Sequence, residues 1–173
     1  GKILFRHSNW INITPFRHNR AFVENLKGDW YLINRRGQFL NDKPFKDVLF
    51  DIEEDDPELL FKNGWQLVRN EIGWGPIDSM GEFIFDPDKE LNDCSLSRKG
   101  DLVFMKKYVE DQSRKNSYIH GFWNMHTGVK VSPVFQYLGV IKNHANILYA
   151  VKDSRIGYID LEGNYIWKED STE

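Results

Sequence analysis

The sequence predicts an all-β fold of sequential antiparallel hairpin repeats. Three observations predict it. A short unit built on Asp or Asn, a spacer and Gly recurs four times. A short apolar strand precedes each copy, and a second apolar segment follows it. Phe, Trp and Tyr make up 14% of the chain, and these bulky side chains suit a pleated, half-buried surface.

The elements follow in order. Gly1-Lys2-Ile3-Leu4-Phe5, leading to Pro15-Phe16, reads as the downstream half of a further copy. Ala21-Phe22-Val23 leads into the first full copy, Asp29-Trp30-Tyr31-Leu32-Ile33-Asn34-Arg35-Arg36-Gly37. Phe39-Leu40 follows, before Pro44. Leu67-Val68 leads into the clearest copy, Gly73-Trp74-Gly75-Pro76-Ile77-Asp78-Ser79-Met80-Gly81, with Phe83-Ile84-Phe85 before Pro87. Leu102-Val103-Phe104 leads into His120-Gly121-Phe122-Trp123-Asn124-Met125-His126-Thr127-Gly128, with Val129 to Val131 before Pro133. Tyr149-Ala150-Val151 leads into Arg155-Ile156-Gly157-Tyr158-Ile159-Asp160-Leu161-Glu162-Gly163. Turn glycines recur roughly every 35 to 47 residues, the range of solenoids, propellers and arrays.

Each unit has a physical reason. Asp78 and Asp160 stand three residues before Gly81 and Gly163. Such a carboxylate accepts backbone N–H groups in a tight turn, and the Gly supplies a positive φ. Asn34 does the same before Gly37. Asn124 stands four residues before Gly128, so that turn must differ in register. Gly75, Gly121 and Gly157 mark a bulge or a close approach of two backbones. Pro15, Pro44, Pro87 and Pro133 are expected at strand ends, where no ladder N–H is needed. Two insertions interrupt the rhythm. Asp51 to Asn63 is acidic, with a short helical turn expected around Pro57 to Phe61. Tyr108 to Ser117 is polar and charged.

No linker divides the chain, so residues 1–173 are read as a single domain of about four degenerate repeats plus an N-terminal half repeat. A propeller-like or closed, curved sheet is the first expectation and an open β-solenoid the alternative. Closure would set Ile3 to Phe5 beside the final hairpin and hide an edge.

Trp74-Gly75-Pro76-Ile77-Asp78-Ser79-Met80-Gly81 and Ile156-Gly157-Tyr158-Ile159-Asp160-Leu161-Glu162-Gly163 resemble the WG-repeat (KWG) family, whose core reads Trp-Gly-Tyr-Ile-Asp, two residues, then Gly. Ile156 replaces the Trp in the last copy, and Tyr31 replaces the Gly in the first. The resemblance implies a mostly bacterial, β-rich interaction or scaffold module. It implies no catalytic residue.

The composition excludes several function classes. A net charge of −3 and a pI near 6.0 lack the concentrated basic surface of a general nucleic-acid binder. No apolar run reaches membrane-spanning length, so no membrane insertion is expected. Cys94 is the single cysteine, so no intramolecular disulfide forms; its acidic and neutral neighbours do not favour a thiolate. It reads as a small buried apolar residue. His7, His18, His120, His126 and His144 lack zinc spacing, so neither a metal nor a cofactor is expected. Asp78 and Asp160 occupy equivalent turn positions, which assigns them to capping rather than acid–base work. The cytoplasm is the favoured compartment, with a removed leader as the alternative.

The reading is therefore a non-enzymatic module that binds another protein. Asp51, Glu53, Glu54, Asp55, Asp56 and Glu58 form an acidic run without the glycine and spacing of a calcium loop. They are the first place to look for contact with a basic partner. The alternative is a carbohydrate-binding module using exposed aromatics. Trp30 and Trp74 occupy matching repeat positions and are expected to pack; one or two of Trp10, Trp65, Trp123 and Trp167 are expected at the surface.

Overall fold

Short apolar runs separated by Asx–Gly turns favour strands that pair with their neighbours in sequence. The computed structural model describes residues 9–50, 60–61, 63–111, 114–142 and 144–170. Among these residues the fold is all-β. It has fourteen strands and one 3-10 turn at Lys89–Asp93. The strands form four small sheets, each running in sequence order with antiparallel neighbours. The chain divides into two compact units, Gly1–Asn92 and Asp93–Glu173.

The first unit holds two sheets. One contains β1 (Trp10–Ile13), β2 (Arg20–Asn25) and β3 (Trp30–Asn34). The other contains β4 (Asp47–Val48), β5 (Gln66–Arg69) and β6 (Trp74–Ile77). They share a core of Phe22, Leu32, Val48, Val68 and Ile77, closed by Phe45, Leu60 and Phe61. Phe22 stacks on Phe61 with ring centroids 6.1 Å apart. Ala21, Val23 and Ile33 pack on the opposite face with Trp10, Phe16 and Tyr31. Strand β2 is thus buried on both faces, which is why it reads as a continuous apolar run.

The segments after β3 and β6 are not full strands. They make isolated bridges, Ile33↔Phe39 with Trp30↔Phe45, and Ile77↔Phe83 with Trp74↔Asp88. The reason is local. Asn41 Oδ1 takes the Leu32 N–H at 2.8 Å in the first case. Pro76 has no N–H to give in the second, although its carbonyl accepts the Ile84 N–H at 2.8 Å.

The second unit also holds two sheets. One contains β7 (Cys94–Lys99), β8 (Leu102–Asp111), β9 (Arg114–Asn124) and β10 (Lys130–Phe135). The other contains β11 (Tyr137–Ile141), β12 (His144–Lys152), β13 (Arg155–Ile159) and β14 (Tyr165–Lys168). Leu102, Phe122 and Phe135 pack against Leu138, Leu148, Ala150 and Ile159 between them.

Two expectations change here. Pro133 lies inside β10, not at a strand end. It is tolerated because β10 is an edge strand whose register slips between Val131 and Phe135. The polar stretch from Tyr108 to Ser117 largely lengthens the β8–β9 hairpin, with Tyr108 opposite Tyr118 and Val109 opposite Ser117. The expected helical turn falls mostly on residues 51–59, and Ile3 to Phe5 also lie outside the described residues.

Candidate functional site

Three of the four repeat turns share one hydrogen-bond scheme, and the Asn124 turn is a wider variant. Asp78 Oδ1 accepts the N–H groups of Met80 and Glu82 at 2.7 and 3.1 Å. Asp160 Oδ1 accepts those of Glu162 and Asn164 at 3.0 and 2.8 Å. Asn34 Oδ1 accepts those of Arg36 and Gln38 at 2.8 and 3.1 Å. Gly37, Gly81 and Gly163 each donate to the carbonyl of the capping residue and hold φ of +77°, +89° and +86°. Asn124 caps His126, and Gly128 closes the wider turn onto the Asn124 carbonyl at 2.8 Å. A fifth such turn, Asn25-Leu26-Lys27-Gly28, joins β2 to β3; Asn25 Oδ1 caps Lys27 and Asp29. Its Asn-x-x-Gly spacing was visible in the sequence.

The turn carboxylates are therefore engaged by backbone. Burial opposes ionisation of Asp160, but hydrogen bonds from Asn164, Glu162 and Gly163 outweigh it and lower the pKa below its usual 3.8. The turns also dock repeats together. A Cβ on Gly81 would sit 3.2 Å from the Leu40 carbonyl oxygen, and one on Gly163 would sit 2.6 Å from Val131 Cγ2. Arg20 Nε donates to the Ser79 carbonyl at 2.6 Å.

The repeat glycines at Gly75 and Gly157 have a different role. Each leaves room for an aromatic ring from the following segment. A Cβ on Gly75 would meet Phe83 at 2.9 Å, and one on Gly157 would meet Tyr165 at 2.6 Å. Tyr31 stands at the matching position of the first copy. Its ring contacts Phe39 at 4.9 Å, and Phe39 stays exposed where Phe83 is half-buried.

The sequence reading missed the main surface feature. An aromatic row crosses the outer face of the fourth sheet, from Tyr137 on β11 through Tyr149 on β12 and Tyr158 on β13 to Trp167 on β14. Ring centroids lie 5.8, 6.1 and 5.8 Å apart in that order. Register builds the row: Tyr149 pairs with Tyr158, and Tyr158 with Trp167. The burial of β13 alternates, so Gly157 and Ile159 face inward while Ile156 and Tyr158 face out. Tyr137, Tyr158 and Trp167 are 53%, 37% and 51% exposed. Tyr137, Gly139, Tyr149, Val151, Ile156, Tyr158 and Trp167 carry no charge, and Glu169 flanks them beside Ile156, its Oε2 accepting the Ile156 N–H at 3.3 Å. A sequence signal existed: aromatic or β-branched residues at alternate positions in three successive strands.

The row continues past His120, whose ring lies 6.4 Å from Tyr137. Burial, and then Lys106 opposite it, lower the His120 pKa below the usual 6.5. Lys106 Nζ lies 4.1 Å from the centre of the Tyr118 ring, and Tyr118 meets Tyr108 at 5.7 Å.

Other candidates contribute less. Trp65, Trp74 and Trp123 are buried, which leaves Trp167 as the most exposed indole among the described residues. Cys94 is half-buried. A cleft of about 620 Å³ in the second unit is lined by Lys99, Asp101, His126 and Glu162 among others, but its Asn124 and Asp160 already cap turns. Among the described residues, no group of three His, Cys, Asp or Glu side chains could hold a metal ion. Asp51, Glu53, Glu54, Asp55, Asp56 and Glu58 lie outside the described residues.

No protein-family model matches the chain. No curated protein matches it either. Among solved structures it is similar to the computationally designed Ika4 protein, at 12% identity over 92% of this chain and 98% of that one, with a TM-score of 0.40. It is also similar to the Pan2 WD40 domain of Neurospora crassa, at 8% identity, 83% and 46% coverage and a TM-score of 0.39. BamB from Moraxella catarrhalis matches at 10% identity, 89% and 59% coverage and a TM-score of 0.33. The chain thus spans less than two thirds of the Pan2 and BamB chains.

Proposed function

We propose that this chain is a non-enzymatic interaction module of the WG-repeat kind, and that it binds another protein through the aromatic row of the fourth sheet. One observation carries the reading. Tyr137, Tyr158 and Trp167 keep a third to a half of their surface in water, yet form one contiguous uncharged row with Tyr149. Cross-strand contact alone stabilises a sheet by about 0.2–1 kcal/mol per pair and does not require such exposure. Tyr and Trp are the residues that dominate binding energy at protein interfaces.

The test compares partner capture from the source lysate by the intact chain and by a Tyr158→Ala/Trp167→Ala variant. The reading expects one reproducible partner, lost from the variant and kept by an Arg36→Ala control. Undiminished capture by the variant rejects the row as the contact surface. The acidic run from Asp51 to Glu58 is a second proposed contact, for a basic partner. Neutralising its six carboxylates without loss of capture would remove it. A carbohydrate ligand is the second reading, favoured by the same exposed rings; a glycan array without signal would reject it.

A further inference from the structure

The cleft of the second unit holds a buried donor that turn capping does not use. The turns β7–β8, β9–β10 and β13–β14 converge on this cleft. Its volume, about 620 Å³, lies within the range of about 300–1,000 Å³ typical of small-ligand sites. We propose that it binds the amino terminus of a peptide, an ammonium group with a neutral carbonyl beside it. The site shares no residue with the aromatic row.

Asn124 supplies the donor. It is 3% exposed and lines the cleft. Its Oδ1 accepts the His126 and Thr127 N–H groups at 3.0 and 3.4 Å, which fixes the other end of the amide as Nδ2. In matching turns, the residue four positions on satisfies that second atom. Asn34 Nδ2 donates to Gln38 Oε1 at 2.9 Å, and Asp160 Oδ2 accepts from Asn164 Nδ2 at 3.2 Å. The wider third turn puts Gly128 at that place, and glycine has no side chain to offer. Among the described residues nothing accepts a hydrogen bond from Asn124 Nδ2, and this atom is not sealed from solvent. A donor so deeply placed calls for an acceptor on whatever enters the cleft.

Charge selects the rest of the ligand. Asp101, Asp160 and Glu162 outnumber Lys99 and His126 on the walls, so the cleft is negative even with both bases protonated. Such a site attracts an ammonium and repels a carboxylate. Leu102 pairs with Asn124 across β8 and β9, and the Asp101 carbonyl accepts the Met125 N–H at 2.8 Å, so Asp101 and Asn124 stand side by side. An ammonium and a carbonyl on adjacent ligand atoms match that pair. A free amino acid sets a carboxylate beside its ammonium; a peptide amino terminus sets a neutral carbonyl there. Leu102, Val140 and Leu161 give the first side chain an apolar wall. Among the described lining residues there is no aromatic ring on which a sugar would stack.

The experiment is a titration of the intact chain with Leu-Gly-Gly amide. It is followed through the indole N–H resonance of Trp123, which donates to the Gly128 carbonyl at 3.2 Å in the same turn. Three probes run beside it. The N-acetylated peptide lacks the ammonium, leucine adds a carboxylate, and isopentylamine keeps the ammonium and side chain without the carbonyl. The proposal expects saturable binding of the peptide, with each other probe weaker by about tenfold or more. Asp101→Asn/Glu162→Gln should weaken the peptide by a similar factor. Asn124→Asp keeps the cap, as Asp78 and Asp160 do in their turns, and removes the donor. In that variant the peptide should lose its advantage over isopentylamine. No saturable shift, equal binding of the acetylated peptide or of leucine, or a carbonyl advantage that survives Asn124→Asp would each overturn the proposal. Saturation by a linear oligosaccharide instead would overturn it too. Tyr158→Ala/Trp167→Ala should bind the peptide like the intact chain, so this site and the contact-surface reading stand or fall separately.

Discussion

A methyl group at Gly157 tests why the repeat keeps glycine there. Its Cβ would lie 2.6 Å from Tyr165 Cε1 and 3.0 Å from the Trp167 carbonyl oxygen. Gly157 is not in the left-handed region, so Gly157→Ala introduces overlap without a backbone penalty. Overpacking of this kind costs about 1–3 kcal/mol. A gain of about 0.4–1 kcal/mol from the stiffer unfolded chain offsets part of it. Tyr165 is partly exposed, so its ring relieves the clash by swinging outward and losing its cover. Truncating that ring first should remove most of the cost. The double variant Gly157→Ala/Tyr165→Ala should then be barely less stable than Tyr165→Ala, with a coupling energy of about 1 kcal/mol or more. Urea unfolding of the four proteins, read by Trp fluorescence, measures it. Additivity within about 0.5 kcal/mol would refute the argument. Gly121→Ala is the contrast. There the obstruction is backbone, with the Val131 carbonyl oxygen at 2.3 Å and Pro133 N at 2.7 Å. It should cost about 3 kcal/mol or more, and no side-chain truncation should rescue it.

Other predictions follow from the same contacts. Asp78→Ala removes the acceptor for two turn N–H groups and should cost about 1–2 kcal/mol, whereas Asp78→Asn should cost little because Asn34 does the same task in its own turn. Phe22→Ala, at a fully buried position, should cost about 3–5 kcal/mol in the same unfolding assay, against a small change for Trp167→Ala. Asp160 has a lowered pKa in the fold, so its support is present above about pH 4 and lost as pH falls through the folded pKa; Asp160→Asn should flatten that acid limb. His120 also has a lowered pKa, so the unfolded chain takes up its proton first. Stability should therefore drop as pH falls below about 6.5, and His120→Gln should remove that drop.

The turns were the most legible part of the sequence, because their chemistry is local. An Asp or Asn with a Gly three residues on carries both the acceptor and the positive φ, and it reads without knowledge of the partner strand. The upstream strands read equally well, since Ala21-Phe22-Val23 is a short apolar run beside an Asn-x-x-Gly turn, too short for a buried helix. The downstream segments were harder. Whether Phe39 starts a strand depends on Asn41 taking the Leu32 N–H, a contact between residues nine apart. Pro133 was misplaced because its tolerance depends on a register slip and an edge position, and neither is written in the local sequence. The aromatic row was missed for the same reason. Tyr137, Tyr149, Tyr158 and Trp167 are spread along the chain and become neighbours only when four strands are set in register. The acidic run was chosen by charge alone.

The most direct test of the aromatic row is photo-cross-linking in the source cells. A photoreactive phenylalanine analogue is placed at position 158, at position 167 and, as control, at position 36 in a turn of the first unit. A contact surface on the fourth sheet predicts one discrete cross-linked partner from positions 158 and 167 and none from position 36. Equal cross-linking from position 36, or none from 158 and 167, would contradict it.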